Sequence, residues 1–382
     1  MTKPNAAELF RERFHAEPAA VASAPGRLEI LGNHTDYNEG FVLSVAVGQT
    51  TDVAMSPVEG TLCTIYEHGE DCTLDLSEID VKVKGDWRNY LKGLLVELRR
   101  RGIRFGAFQA ALTSSVPLSA GMSSSAALEM AFSFALKKIY NIDLPLPEWA
   151  RIGQAVENKF LGLNSGLLDQ FSSLYGKKDS LILCDFRSVE VLKTVPMPAG
   201  WSLVVANTLV KHNLVDSAYN ARRVSCENAV RAIRGKHPEI KALRDVSSAL
   251  LEECRTDMSE EDYLRARHVV GEDERVMQGV KFLEDGDVGS FGKLLFLSHE
   301  SSRDCFENSC PELDCLVELA RSLPGCAGAR LSGGGFGGIS IHLVRSEEAE
   351  NYCRRLSVAY ESRTGKKIET IICSIGDGAR VL

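Results

Sequence analysis

A strand pattern that stops abruptly in a dense polar turn is the feature that most constrains the fold of this chain. Residues 28–31 are apolar except for Glu29, and the pattern ends at Gly32. The next six positions are polar or ring-bearing and include Asn33, His34, Asp36, Tyr37 and Asn38. Glycines at positions 26, 32 and 40 predict tight turns that hold these side chains in place. The group suits a hydroxyl-binding site better than a core, although a plain polar turn between two strands has the same pattern.

A serine-rich loop, residues 116–127, joins a predicted strand to a predicted helix. Gly121 and its small neighbours allow the backbone to approach an anion, and the serines at 123–125 open the helix. Their hydroxyls would lie beside the unpaired N–H groups and the positive dipole end of the helix, an arrangement that suits phosphate. No lysine follows as in the common P-loop, and a serine hydroxyl could instead complete a magnesium shell. A simple helix cap is the alternative, but three serines exceed what one cap needs.

A glycine-rich segment, residues 331–338, contains five glycines in six positions between two apolar strands. Each glycine disfavours folding by roughly 0.5–1 kcal/mol, so such a segment indicates close approach of chain to chain or of chain to ligand. A glycine-rich hairpin would look similar.

One carboxylate, Asp169, follows the turn at residues 164–166 and precedes an apolar helical pattern. Glu157 lies twelve residues before it. A carboxylate at a helix start often only complements the helix dipole, so the residues by themselves leave a catalytic role for Asp169 open.

Apolar periodicity predicts strands near residues 20–31, 41–55, 107–113, 180–185, 201–206, 327–331, 338–344 and 369–374. It predicts helices near residues 87–101, 123–140, 148–160, 217–233, 260–284, 288–303, 311–322 and 346–361. The regular βαβ rhythm of a doubly wound sheet is missing, which favours an α+β fold. Because 382 residues exceed the size of a single core, we expect two lobes, residues 1–195 and residues 196–382. The first would carry the polar turn and the serine-rich loop, and the second the glycine-rich segment.

Charge and hydropathy exclude several classes of partner. A net charge of −8 disfavours nucleic-acid binding, which needs clustered Lys and Arg. We find no apolar run long enough to span a membrane and no secretory signal, and we expect a cytoplasmic protein. The 11 cysteines form no Cys-x-x-Cys pair, which disfavours a zinc site. The oligomeric state is left open, with a monomer favoured.

Together the three motifs resemble the sugar-kinase branch of the GHMP kinases, and the galactokinases in particular. Residues 26–38 are similar to the family pattern G-R-V-N-L-I-G-E-H-T-D-Y-N, and residues 117–126 to P-x-G-x-G-L-S-S-S-A. Residues 333–338 match the third, glycine-rich motif, and the resemblance extends over about residues 20–375. It implies a two-lobed GHMP-kinase-type fold, with mixed sheets flanked by helices and the active site between the lobes.

The resemblance also implies a reaction, the transfer of the γ-phosphoryl group of ATP to the anomeric C1 hydroxyl of galactose. Asp169 would accept or orient the hydroxyl proton, and Arg27 would stabilise the charge on the phosphoryl oxygens and favour ionised Asp169. The implied sugar-binding residues are Asn33, His34, Thr35, Asp36, Gly166 and Tyr219. Those implied for ATP are Trp87, Ser119, Ala120, Gly121, Met122, Ser123, Ser124 and Ser125. Ser125 and Glu157 would hold Mg²⁺.

The chain departs from the family pattern at two positions of the polar turn. Asn33 stands where the family has its hexose-binding Glu, and Glu29 stands where the family has Asn. Four residues along a strand span about 13 Å, so a direct exchange of the two roles is not expected. Asn33 lacks the charge that strengthens a hydrogen bond, and we expect hydroxyl discrimination to be relaxed or shifted by about 1–2 kcal/mol.

Two alternatives to a galactokinase stay open from the sequence. A kinase for another aldose, such as N-acetylgalactosamine or arabinose, is favoured by Asn33. A sugar- and ATP-binding sensor without transfer activity is opposed by the presence of Arg27, Asp169 and the serine run.

Overall fold

The computed structural model describes residues 5–117, 121–211 and 215–382. The strands of the described residues are β1 (Ala20–Leu31), β2 (Phe41–Val58), β3 (Leu62–Glu67), β4 (Glu70–Asp75), β5 (Ala107–Ser114), β6 (Ser180–Asp185), β7 (Glu190–Pro196), β8 (Trp201–Lys211), β9 (Cys326–Ser332), β10 (Gly337–Arg345), β11 (Glu369–Cys373) and β12 (Arg380–Val381). They form two sheets, one of eight strands in the order β12-β1-β2-β5-β3-β4 with β6 paired to β2 and β7 paired to β6, and one of four in the order β11-β8-β10-β9. The larger sheet is mixed, because β3 and β5 are parallel while its other pairs are antiparallel.

Helices pack against both sheets. They are α1 (Ala6–Phe14), α2 (Arg88–Arg100), α3 (Ser124–Ile139), α4 (Leu146–Ala155), α5 (Leu168–Tyr175), α6 (Val215–Arg234), α7 (Ser248–Glu253), α8 (Glu260–Glu284), α9 (Val288–Ser301), α10 (Pro311–Ser322) and α11 (Ala349–Thr364). Two π-helical turns, Val156–Leu161 and Ser302–Phe306, follow α4 and α9. No helix of the described ranges has the length and apolarity to cross a bilayer.

The alternation of side chains along β1 separates the core from the site. Leu28 and Ile30 are fully buried and pack with Val205 and Ile341 of the smaller sheet in a core between the two sheets. Arg27 and Glu29, which alternate with them, point to the opposite face because successive side chains of a strand point to opposite sides. That face lines a cavity described below.

Most predicted elements are present to within a few residues, and the mixed sheets with flanking helices confirm the α+β class.

The hairpin of β3 and β4 was not predicted, although His68 and Gly69 form a two-residue turn with φ of 50° and 90°. A two-residue hairpin turn of this kind needs positive φ at both central positions, and a glycine at the second position is a typical sequence signal for it. The chain leaves the larger sheet where β7 ends at Pro196 and enters the smaller sheet where β8 begins at Trp201. It returns to the larger sheet with β12. The division of the chain into lobes at residue 195 stays a prediction.

Candidate active site

The polar turn folds back on the strand that precedes it. Gly32 has a φ of 99°, and a Cβ at this position would lie 2.8 Å from the Cα of Val42, so only glycine fits. The reversal brings the side-chain amide of Asn33 to 2.9 Å from Glu29 Oε1. The expectation that these two side chains are too far apart to exchange roles was therefore wrong, because β1 ends at Leu31 and the chain does not continue as a strand.

Helix α8 fixes this turn from the second half of the chain. The carboxylate of Glu272 accepts hydrogen bonds of 3.0 Å from the backbone N–H groups of both Gly32 and Asn33. His268 Nε2 lies 3.1 Å from the Asn33 carbonyl oxygen. The sequence analysis missed both residues, since no local pattern connects them to a turn more than 230 positions away.

Arg27 and Asp169 form an ion pair across 142 positions of the sequence. Arg27 extends from β1, and Asp169 lies in the first turn of α5. The Arg27 Nη2 to Asp169 Oδ1 distance is 2.7 Å, and Arg27 Nη1 donates to the Gly121 carbonyl oxygen at 2.6 Å. The Asp169 side chain keeps 29% of its exposure, so it stays accessible from the cavity while the arginine is almost fully buried.

The serine-rich loop reaches the same pair. Ser123 has a φ of 53° and no capping bond to α3; instead its hydroxyl donates to Asp169 Oδ2. Met122 is fully buried in the core between the sheets, and only its carbonyl oxygen takes part, accepting from the Arg27 N–H at 3.1 Å. The predicted nucleotide residues Ser119 and Ala120 lie outside the described residues.

A small cavity of about 120 Å³ lies on one side of the ion pair. It is lined by predicted site residues, namely Arg27, Asn33, His34, Asp36, Gly166, Asp169 and Tyr219. Lining residues that the sequence analysis did not predict are Glu29, Ser165, Leu168, Gly333 and Gly334. Thr35 does not line it. Its buried hydroxyl lies 2.8 Å from the Gly32 carbonyl oxygen and 2.5 Å from that of Phe41, and closes the turn.

Burial sets the protonation of the groups around this cavity. It lowers the pKa of His34 to about 3, so the ring is neutral. Its Nδ1 can then accept from the Tyr37 hydroxyl at 2.9 Å while Nε2–H donates to the Gly334 carbonyl oxygen at 3.2 Å. Burial and, next, the negative charge of Glu29 raise the pKa of Asp36 to about 6. Burial also raises the pKa of Tyr219, so its hydroxyl keeps its proton.

Gly166 lies directly against Asp36. A Cβ at position 166 would overlap the Asp36 carboxylate, so a side chain here would displace one of the cavity walls. The Asp36 Oδ2 atom is also 3.3 Å from the N–H of Leu168, which ties the polar turn to the start of α5.

A larger cavity of about 750 Å³ lies on the other side of the ion pair. Its lining includes Trp87, Gly121, Ser123, Ser124 and Ser125, all predicted, together with Thr51, Glu67, His68, Tyr90, Leu112, Ser114 and Leu128. Four residues line both cavities: Arg27, Asp169, Gly333 and Gly334. The ion pair and the glycine-rich segment therefore form the boundary between a space of monosaccharide size and a much larger one.

The predicted metal residues are in different settings. Ser125 lines the larger cavity, whereas Glu157 is buried in the π-helical turn and accepts from the Ser165 hydroxyl. Burial, followed by the charge of Asp169, raises the pKa of Glu157. Within the described ranges no cluster of three or more His, Cys, Asp and Glu side chains is arranged for a metal ion. A hydroxyl and a carboxylate are nevertheless oxygen donors of the kind that Mg²⁺ takes when substrate phosphates supply further ligands, and a cation would relieve the repulsion between Glu157 and Asp169.

Comparison with known proteins agrees with this geometry. Family models match at residues 8–57 (galactokinase galactose-binding signature), 89–177 (GHMP kinases N terminal domain) and 280–361 (GHMP kinases C terminal). The chain is 37% identical to a galactokinase of Roseiflexus sp. (strain RS-1), covering 97% of this chain and 95% of that protein. It is 39% identical to a galactokinase of Actinobacillus pleuropneumoniae serotype 3 (strain JL03), with 99% and 98% covered.

Solved structures of similar fold include a galactokinase and a mevalonate kinase. The Lactococcus lactis galactokinase complexed with galactose superposes with a TM-score of 0.93 at 30% identity over 98% of both chains. The Methanococcus jannaschii mevalonate kinase matches with a TM-score of 0.64 at 18% identity, over 94% of this chain and 98% of that one, and shares the fold. This chain belongs to the galactokinase family of the GHMP kinases.

Proposed function

We propose that this enzyme transfers the γ-phosphoryl group of ATP to the C1 hydroxyl of galactose, giving galactose 1-phosphate and ADP. The observation that carries the proposal is the Arg27–Asp169 ion pair at the boundary of the two cavities. A sugar hydroxyl in the small cavity and a terminal phosphate in the large one would meet at this pair. Phosphoryl transfer requires mainly positioning and charge stabilisation, which this arrangement supplies.

In the proposed reaction the C1 oxygen forms a bond to the γ-phosphorus while the bond from that phosphorus to the β–γ bridging oxygen breaks. The bridging oxygen leaves with the electron pair as part of ADP. The C1 hydroxyl proton passes to Asp169, whose Oδ1 is held by Arg27 and whose Oδ2 accepts from Ser123. Arg27 stabilises the negative charge that spreads over the phosphoryl oxygens.

Galactose as the sugar is supported by the Lactococcus lactis galactokinase, which was solved with galactose bound. In this chain the ring hydroxyls would be held by Asp36, His34, Tyr219 and the backbone at Gly166, which all line the small cavity. Asn33 lines the same cavity, and Thr35 supports the turn from behind.

ATP would occupy the larger cavity, with its phosphates at the start of α3 beside Ser123, Ser124 and Ser125 and its base near Trp87. Ser125 and Glu157 would hold Mg²⁺, which supplies neutralisation of phosphate charge when bound. Since ATP is the phosphoryl donor, we place the activity in the cytoplasm; the monomeric state stays a prediction.

A steady-state assay of ADP release with about a dozen free sugars tests the proposal. Galactose is expected to give the highest kcat/KM, and product analysis should show the phosphate on C1. A higher kcat/KM for N-acetylgalactosamine or arabinose would overturn the substrate assignment. Binding of ATP and galactose without ADP release would overturn the catalytic assignment.

A further inference from the structure

Glu29 is a carboxylate in the sugar cavity to which neither the motif nor the proposed mechanism assigns a role. It lines the small cavity together with Arg27 and Asp36, and only 3% of its surface is exposed. Its charge acts on its neighbours, since it contributes to the raised pKa of Asp36.

Asn33, the residue at the family's carboxylate position, has no hydrogen-bonding capacity left for a ligand. Its amide nitrogen donates to Glu29 Oε1 and to the Gly333 carbonyl oxygen, both at 2.9 Å. Its amide oxygen accepts from Asn308 Nδ2 at 2.9 Å and from the Ser302 hydroxyl at 3.4 Å. An amide has two donor hydrogens and two acceptor lone pairs, and all four are used.

Glu29 is in the opposite situation. Its Oε1 atom is 2.9 Å from the Asn33 amide nitrogen and 3.0 Å from Nη1 of the fully buried Arg330. No hydrogen bond within the described part of the chain uses Oε2. One oxygen is therefore anchored by two donors, and the other remains available in a cavity that opens toward the ion pair.

We propose that Glu29, rather than Asn33, is the carboxylate that binds a hydroxyl of the sugar, with Asn33 and Arg330 as positioning residues that act through it. The inference rests on the proposed sugar-kinase function. Carboxylate and amide have exchanged places across a single hydrogen bond, so the cavity keeps one carboxylate at this point. Because Glu29 is two residues from Arg27 on the same face of β1, roughly 7 Å away, the hydroxyl it binds lies across the ring from the reacting C1 hydroxyl.

The primary test is the isosteric Glu29→Gln variant. Loss of a charged hydrogen bond predicts a decrease of about 10- to 100-fold in kcat/KM for galactose, with KM for ATP unchanged. The wild type and the variant are then compared on 2-, 3-, 4- and 6-deoxygalactose. For one hydroxyl on the far side of the ring, the losses from deoxygenation and from Glu29→Gln should be strongly non-additive, because both remove the same contact. Additive losses for every hydroxyl would overturn the proposal.

A reciprocal exchange tests the positioning role of Asn33. Asn33→Glu alone places two carboxylates side by side, and Glu29→Asn alone leaves no carboxylate at this point of the cavity. Each single variant should therefore have a lower kcat/KM for galactose, mainly because its KM for galactose is higher. The double variant, Glu29→Asn with Asn33→Glu, should recover most of the loss. A double variant as poor as the worse single one would show that the two side chains do not exchange roles.

Glu97→Gln is the matched control. Glu97 is 1% exposed and paired with Arg100 and Arg101 on α2, and it lines neither cavity. It should lower Tm and leave galactose kcat/KM unchanged, and melting curves for all variants separate folding from binding. If the wild type phosphorylates no sugar at all, the proposed function fails. If the wild type is active and Glu29→Gln behaves like Glu97→Gln, only the present inference fails.

Discussion

The two cavities that meet at Arg27 and Asp169 are built in different ways. The small cavity, which we propose as the sugar site, has polar groups that are already hydrogen-bonded within its lining, Asn33 to Glu29 and His34 to the Gly334 carbonyl oxygen. The larger cavity is lined by serine hydroxyls at the start of α3 and by apolar and aromatic side chains. Buried polar groups discriminate strongly because an unmatched ligand leaves them unpaired, whereas a helix start accepts phosphate without such precision. Selectivity for the sugar should therefore be stricter than selectivity for the nucleotide.

Asp169→Asn gives the largest expected effect, because Asp169 serves both cavities. An amide still accepts from Ser123 but takes up no proton, so kcat should fall by about 10²- to 10⁴-fold while both KM values change little. Single-turnover measurement of sugar phosphate formation checks this. A decrease of less than about tenfold would leave Asp169 as an orienting group only.

Gly166→Ala should affect the sugar cavity alone. The new Cβ overlaps the carboxylate of Asp36, so either Asp36 or the start of α5 must move. We expect KM for galactose to rise by about 10- to 100-fold, since misplacing a contact by an ångström has an effect of this size. KM for ATP serves as the internal control; an equal rise in both would contradict the separation of the cavities.

The pH dependence of galactose kcat/KM should show the titration of the Asp36 carboxyl group, whose pKa is raised to about 6. Below pH 6 this carboxyl becomes protonated and loses its negative charge and one acceptor position, so kcat/KM should fall by up to about tenfold per pH unit. The Asp36→Asn variant, although weaker at neutral pH, should lack this slope. Because the folded-state pKa lies above the ordinary value of 3.8, the folded protein binds this proton more tightly, and the contribution of Asp36 to stability decreases as pH rises from about 4 to 6.

Ser123→Ala should give the smallest effect. It removes the hydroxyl that donates to Asp169 Oδ2 but leaves Arg27 on Oδ1. A decrease in kcat of about 2- to 10-fold matches the loss of one hydrogen bond. Ser124→Ala is the comparison, since no hydrogen bond from its hydroxyl to Asp169 is present among the described residues. A larger decrease in kcat for Ser124→Ala than for Ser123→Ala would indicate that these serines act mainly by binding phosphate.

Local chemistry made many parts of this protein predictable. The apolar residues 28–31, interrupted only by Glu29, predicted the end of β1, and apolar periodicity predicted a helix near residues 87–101, where α2 lies. Helix α1 was missed, although Asn5 and Glu8 form a capping box that is visible in the sequence. The three motifs, which depend on glycine and serine at fixed spacing, were sufficient to indicate a sugar and a phosphate site.

The sequence by itself determined most of the segments that form strands and helices, which family the chain resembles, and many of the residue types that line the two cavities, because periodicity and motif spacing are local properties. The tertiary structure alone decided which of those residues meet. It brought Glu272 of α8 to the backbone of the polar turn, and it brought the carboxylate of Glu29 to the amide of Asn33 once Gly32 had reversed the chain. Such contacts depend on packing between elements that are distant in sequence and on a single backbone reversal, and neither is written in the spacing of residues along a strand.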